Sequence, residues 1–119
     1  MTPFGMFLRT VRLERGLLLK DMADQLDVTS AYLSALEHGK KGAPGSTFLQ
    51  RIDQAFELDP KRRAELRDAV RDSATTVSIP TKVTPRVFQT AHAFARKLPS
   101  LSEKQLQQID RILDGDPKP

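Results

Sequence analysis

The chain contains no cysteine among its 119 residues, which excludes disulfides, thiolate catalysis and any cysteine-containing zinc site, and agrees with a reducing compartment. Tryptophan is also absent and aromatic residues reach only 6%, so a core has to be built from Leu, Ile, Val, Ala and a few Phe. Two histidines do not make a metal site, and none is expected. No apolar run approaches the roughly 18 residues of a membrane span, and Met1 to Leu8 has neither the basic leader nor the apolar stretch of a signal peptide. The expectation is a soluble, cytoplasmic protein. No Gly-rich phosphate loop, HExxH pair, nucleophile elbow or paired-carboxylate site is visible, so the chain is not expected to be an enzyme or to hold a cofactor. Its length admits one ordinary domain with a modest appendage, not two full-sized domains.

Hydrophobic residues make up 39% and charged residues 29%, values of a globular protein, and the formal charge of +4 favours an anionic partner. That charge is unevenly informative. Residues 1–58 hold seven Lys/Arg and seven Asp/Glu, so any nucleic-acid face there must arise from the placement of charges and not from their sum.

Hydrophobic periodicity and end signals predict seven helices. Thr2-Pro3 opens the first, with Phe4, Leu8 and Val11 on one face and Gly16 as its stop. A second spans Leu19 to Leu26 with Met22, Ala23 and Leu26 inward. A third runs from Thr29 as N-cap through Leu33 and Leu36 to Gly39 as C-cap. Lys40 to Gly45 reads as a loop, followed by a fourth helix with Phe48 or Leu49, Ile52 and Phe56 as its stripe. Asp59-Pro60 starts a fifth, reaching about Ser73 and carrying Leu66 and Val70. Thr75 to Pro80, rich in β-branched residues, should be extended, as a linker or a short edge strand. Thr84-Pro85 opens a sixth helix carrying Val87, Ala91, Phe94, Ala95 and Leu98. Ser102 to Gln105 is a capping box for a seventh, carrying Leu106, Ile109 and Leu113. Gly115 to Pro119 should fray. The expected division is 1–74 as one domain and 75–119 as a linker with a two-helix segment.

Two short helices joined by a very short turn, the second capped by Thr29, have helix-turn-helix geometry, in which the second helix enters the major groove N-terminus first. The string Phe4, Leu8-Arg9, Val11-Arg12, Arg15-Gly16, Met22-Ala23, Leu26, Val28-Thr29, Tyr32-Leu33-Ser34, Leu36-Glu37, Gly39 resembles the signature of the lambda-repressor (Cro/CI, or XRE) family of transcriptional regulators. So does the stretch GLLLKDMADQLDVTSAYLSALEHGKKGAP, and the resemblance covers residues 3 to about 70. It implies an all-α fold: a five-helix DNA-binding domain, then a short extended linker and a C-terminal helical hairpin.

Carried over residue by residue, the resemblance places Thr29, Ser30, Ala31 and Ala35 toward base edges. Because these side chains are short, readout would draw on thymine methyls, a hydroxyl, DNA shape and half-site spacing rather than on bidentate contacts. Tyr32 and Ser34 match positions that meet the sugar-phosphate backbone, although Tyr32 could equally be a half-buried ring closing the core. Lys40 and Lys41 fall where the family's loop tracks a backbone strand, although a solvated turn also explains them. Arg12 and Glu37 match a structural ion pair between the first and third helices. His38 is expected at the surface and His92 off the main stripe of the sixth helix. Leu18 and Leu19 depart from the family's usual cap and following Gln, and Lys20 is the substitute phosphate donor. Asp27 stands where a left-handed glycine is frequent.

The leading expectation is a dimeric repressor or autoregulator that binds double-stranded DNA at a (pseudo)palindromic operator through the helix at 29–38. A homodimer contact would come from Val77, Ile79, Val87, Ala91, Phe94, Leu98, Leu106, Ile109 and Leu113, unless the C-terminal hairpin folds back on its own bundle. The alternative is an antitoxin or adaptor whose C-terminal hairpin grips a protein partner, with Leu17-Leu18-Leu19 as part of such a surface.

Overall fold

In the computed structural model, which describes residues 1–115, five of the seven α-helices among these residues begin where a short side chain accepts from the first turn. Thr2 Oγ1 accepts from Gly5 N at 3.0 Å and opens α1 (Pro3–Glu14). Thr29 opens α3 (Ser30–Glu37) by accepting from Tyr32 N at 3.0 Å, and Asp59 opens α5 (Pro60–Asp72) by accepting from Arg62 N at 2.8 Å. Thr84 does the same for α6 (Pro85–Lys97), and Ser102 and Gln105 form a reciprocal capping box at α7 (Glu103–Leu113). Proline is the first residue of α1, α5 and α6, where its missing N–H costs nothing. Two helices start without a side-chain acceptor at the cap itself: α2 (Leu19–Leu26) after Leu18 and α4 (Ser46–Phe56) after Gly45. At α2 the Asp21 carboxylate reaches back to Leu18 N at 3.0 Å, which supplies half of a capping box and places an anion in the positive first turn.

The chain divides into two units, Met1–Val77 and a second that begins at Ser78, three residues beyond the boundary expected from sequence. In the first unit the apolar faces of five helices close on one core. Phe4, Leu8, Met22, Leu26, Leu33, Leu36, Ile52 and Phe56 are its largest fully buried side chains, and Phe7, Val11, Ala23, Leu58 and Leu66 complete it. Helix α1 lies against both α3 and α5, and α2 against both α3 and α4. The contact of α1 with α3 is unusually close. A Cβ built on Gly5 would fall 2.6 Å from the Leu36 carbonyl oxygen and nearer still to that of Glu37, so only glycine allows α1 to meet the last turn of α3.

A polar tie joins α1 to the end of α5. Ser73 is buried, and its Oγ accepts from Phe4 N at 2.8 Å while donating to the Ala69 carbonyl at 2.6 Å. One hydroxyl thus satisfies a donor at the start of α1, which would otherwise be buried unpaired.

The second unit contains α6, a 3₁₀ turn α6′ (Leu98–Ser100) and α7, and no residue of these elements is buried. Leu98 therefore belongs to the 3₁₀ turn and not to α6 as expected, because Pro99 lacks the N–H needed to continue the helix. Residues 76–80 take no regular structure, and among the described residues there is no strand, so the linker reading of this stretch holds over the edge-strand one. The expected fraying of the tail lies, from Asp116 on, outside the described residues. No helix among the described residues is long and apolar enough to cross a membrane.

Replacing Gly5 with Ala should cost at least about 2 kcal/mol, as overpacked sites typically do, because its neighbours here are backbone and cannot swing away. The denaturant midpoint of the variant should fall with its slope unchanged, and an unchanged midpoint would contradict the close contact.

Candidate nucleic-acid interface

The turn between α2 and α3 is built by Asp27, Val28 and Thr29. Asp27 is left-handed (φ 57°, ψ 46°) and ends α2, with Val28 N donating to the Ala23 carbonyl at 3.0 Å. Asp is among the few non-glycine residues that tolerate this conformation. Val28, half-buried, packs on the core beside the reversal, and Thr29 at once caps α3. Two eight-residue helices are thereby joined by a reversal of three residues.

Orientation of α3 is fixed from behind. Arg12 on α1 donates from Nε to Glu37 Oε2 at 2.9 Å and from Nη2 to Glu37 Oε1 at 3.2 Å, a two-pronged ion pair. Its Nη1 also donates to the Leu17 carbonyl at 3.3 Å, just before α2. The Glu37 side chain is 5% exposed and that of Arg12 16%, so the pair is largely removed from water. Only the planar fork of arginine supplies three donors at these angles.

With its inner face thus engaged, α3 shows solvent its opposite side. Thr29, Ser30 and Ala31 are exposed, and Tyr32, Ser34 and Ala35 are half-buried. The Thr29 oxygen accepts the cap hydrogen bond, which leaves its hydroxyl proton, a second lone pair and its methyl group for an outside partner. Lys20 in the first turn of α2 and Lys40 and Lys41 after α3 are all exposed. Gly39, left-handed at φ 77°, follows the His38 C-cap, so the expected glycine stop falls one residue beyond the cap itself; Lys40 N closes the end by donating to the Ala35 carbonyl at 2.9 Å. His38 Nδ1 lies 2.8 Å from the Ser34 carbonyl. A carbonyl only accepts, so this nitrogen carries the hydrogen. The His92 side chain is exposed, and no cluster of three or more His, Asp or Glu suited to a metal occurs among the described residues.

Residues 3–66 match the model of a family described as a helix-turn-helix domain. The chain belongs to this helix-turn-helix family. No curated protein and no solved structure matches it. The matched region takes in α1 to α4 and the start of α5, so the family's domain is the first unit, with the α2-turn-α3 element at its centre and α3 as its second, outward-facing helix.

The residues read from sequence as a dimer contact fall in or next to the second unit. Val77 is fully open to solvent at 86% exposure and Ile79 is half-buried. Val87, Ala91, Phe94, Ile109 and Leu113 line one apolar groove of about 520 Å³ between α6 and α7, with Arg86 and Thr90. Ile112 also lines it and was missed, because it falls one position off the stripe counted from Leu106. Leu98 and Leu106 are outside that lining. Arg51 on α4 was missed as well: its Nη1 donates to the Leu26 carbonyl at 2.9 Å, at the last residue of α2. Its spacing from Phe48, one helical turn, is a signal that could have found it.

Glu37→Ala should destabilise the helix-turn-helix domain by about 3 kcal/mol, because it strands the Arg12 guanidinium in a mostly dry site. Thermal unfolding would show it, and Arg12→Lys should recover little, since an ammonium cannot make the forked contact. A Glu37→Ala domain as stable as the parent would show that the pair does not hold α3.

Proposed function

We propose that this protein is a sequence-specific DNA-binding transcriptional regulator of the lambda-repressor (XRE) type, acting as a dimeric repressor or autoregulator. The observation that carries the reading is the outward face of α3: Ser30 and Ala31 lie open at the leading end of a helix whose other side is locked by Gly5 and by the Arg12–Glu37 pair. A helix held from behind with its N-terminal turn free is what major-groove entry requires. Thr29, Ser30, Ala31 and Ala35 would face base edges. Lys20, Tyr32, Ser34, Lys40 and Lys41 would meet phosphates and set the register. On this reading the protein binds and does not catalyse, and it acts in the cytoplasm.

Two observations support the dimer. A single recognition helix with side chains this short reads one half-site weakly. The second unit has two amphipathic helices and no buried residue, so its apolar groove lacks a cover that another protomer would supply. An antitoxin or adaptor role, with the groove on a protein partner, is the second reading; the 70% exposure of Leu18 is the observation on its side.

Lys40→Ala with Lys41→Ala should weaken binding to every duplex alike and lower the slope of log affinity against log salt by about 1.8, the loss of two phosphate contacts. An unchanged slope removes the phosphate role. Selection of bound sequences from random duplexes at stated salt, followed by footprinting, should give half-sites about one helical turn apart. A chain ending at Val77 should be monomeric in sedimentation. A dimer that survives this deletion shows that the pairing surface lies in the first unit.

A further inference from the structure

We infer that Arg51 is a positioning residue for DNA binding, which acts by fixing the half-buried Tyr32 ring, packed at the edge of the core in the first turn of α3, through the ring of Phe48. This deepens the regulator reading and depends on it for the role of Tyr32. Three contacts run in series. The Arg51 guanidinium donates to the Leu26 carbonyl at 2.9 Å, so it is anchored at the C-terminal end of α2, where the helix dipole favours a cation. It lies over the Phe48 ring, its carbon 5.9 Å from the ring centre. Phe48 in turn meets the Tyr32 ring edge to face, with centres 6.1 Å apart and planes at 85°, the arrangement that the ring quadrupoles favour.

The chain of contacts crosses three helices. Arg51 and Phe48 sit one turn apart on α4, Leu26 ends α2 just before the reversal, and Tyr32 is in the first turn of α3. One side chain therefore touches both the end of the first helix of the motif and, through one ring, the start of the second. Tyr32 is half-buried, with its ring held by Phe48 and its backbone N–H engaged by the Thr29 cap. With the ring held, the phenol enters the complex already ordered, and the cost of immobilising it on binding is reduced. Arg51 gives a donor to a protein carbonyl and its face to a protein ring, which distinguishes it from Lys40 and Lys41, whose charges are free to meet phosphate.

The chain has one tyrosine and no tryptophan, so tyrosine near-ultraviolet dichroism of the free protein reports on the Tyr32 ring alone. Arg51→Ala and Arg51→Lys are compared with the parent, each also in a Tyr32→Phe background, with helical dichroism confirming that each is folded at the working temperature. The lysine variant keeps the charge and most of the stem but loses the planar fork, and it carries the test if the alanine variant does not fold. Both Arg51 variants should diminish the tyrosine dichroism. Both should weaken operator binding roughly 5- to 10-fold, the scale of leaving one interface side chain unordered. The salt slope should not change, and in the Tyr32→Phe background the loss should fall below about 2-fold, as coupled residues behave. A slope lowered by about one in Arg51→Ala, with full affinity in Arg51→Lys, would make Arg51 a phosphate ligand and overturn the proposal. Unchanged tyrosine dichroism would overturn it too. Diminished dichroism, with Tyr32→Phe binding as well as the parent, would confirm that Arg51 holds the ring and would refute the placement of Tyr32 on DNA.

Discussion

The placement of the third helix depends on how closely its last turn approaches the first helix. At Gly5 there is no room for even one carbon between α1 and the Leu36 and Glu37 carbonyls. Backbone meets backbone there, so the separation of the two helices is set by covalent geometry and not by adaptable side chains. Two turns further along α1, the Arg12 fork fixes the remaining freedom by holding Glu37 and the Leu17 carbonyl at once. A close steric contact and a directional ionic one act on the same end of α3. Its other end is held by the cap at Thr29, the reversal at Asp27 and the ring contact of Tyr32 with Phe48. This polarity suits a helix that is to be presented by its N-terminus.

The two units are held together by different physics. In the first, thirteen apolar side chains are buried, and the polar groups drawn in with them, Glu37 and Ser73, both have partners. No buried polar side-chain atom among the described residues lacks a hydrogen bond. In the second, nothing of α6 or α7 is buried, although Phe94, Leu98, Ile112 and Leu113 are large and apolar. Two amphipathic helices across an open groove, with no buried residue between them, bury too little to offset the entropy of ordering them. The first unit has its core within itself, whereas the second calls for a cover.

Much of the fold was legible because the chain marks its helix starts with hard chemical signals. Thr2-Pro3, Asp59-Pro60, Thr84-Pro85 and Ser102 each combine a short acceptor with a suitable first turn, and each opens a helix in the structure. Asp27 was readable as left-handed only through the family resemblance, which places a glycine at this point of the turn. Glu57 is left-handed too (φ 47°) and carried no such signal. It is held there because Leu58, immediately after, is drawn into the core, a tertiary effect no local pattern shows. Gly5 was hidden for a related reason: within α1 it looks like an ordinary weak helix residue, and its necessity comes from carbonyls some thirty positions away. Of the candidate interface, the residues of α3 came from the family resemblance, and the structure leaves Thr29, Ser30 and Ala31 exposed and Tyr32, Ser34 and Ala35 half-buried. Arg51, Phe48 and Tyr32 could not be joined in this way, since they come together only when α4 folds across the motif.

Net charge explains little about how such a domain would hold DNA. The +4 of the chain arises beyond the first four helices, and several cations there already have acidic partners: Arg62 with Glu14 and Glu65, Arg63 with Asp53, Arg71 with Asp68 and Asp72. Around the reversal, the exposed Asp27 even brings a negative charge close to α3. Long-range attraction is thus muted, and what remains is local: Lys20, Lys40 and Lys41 beside a helix whose exposed side chains, Thr29, Ser30 and Ala31, are too short for bidentate readout. A weak contact of this kind becomes selective when two are joined at a fixed spacing, because the second then binds at high effective concentration while a mis-spaced site gains nothing. On this reading the uncovered hairpin and the modest recognition helix answer each other. In the proposed dimer, specificity would reside as much in the distance between two protomers as in the few atoms that α3 presents.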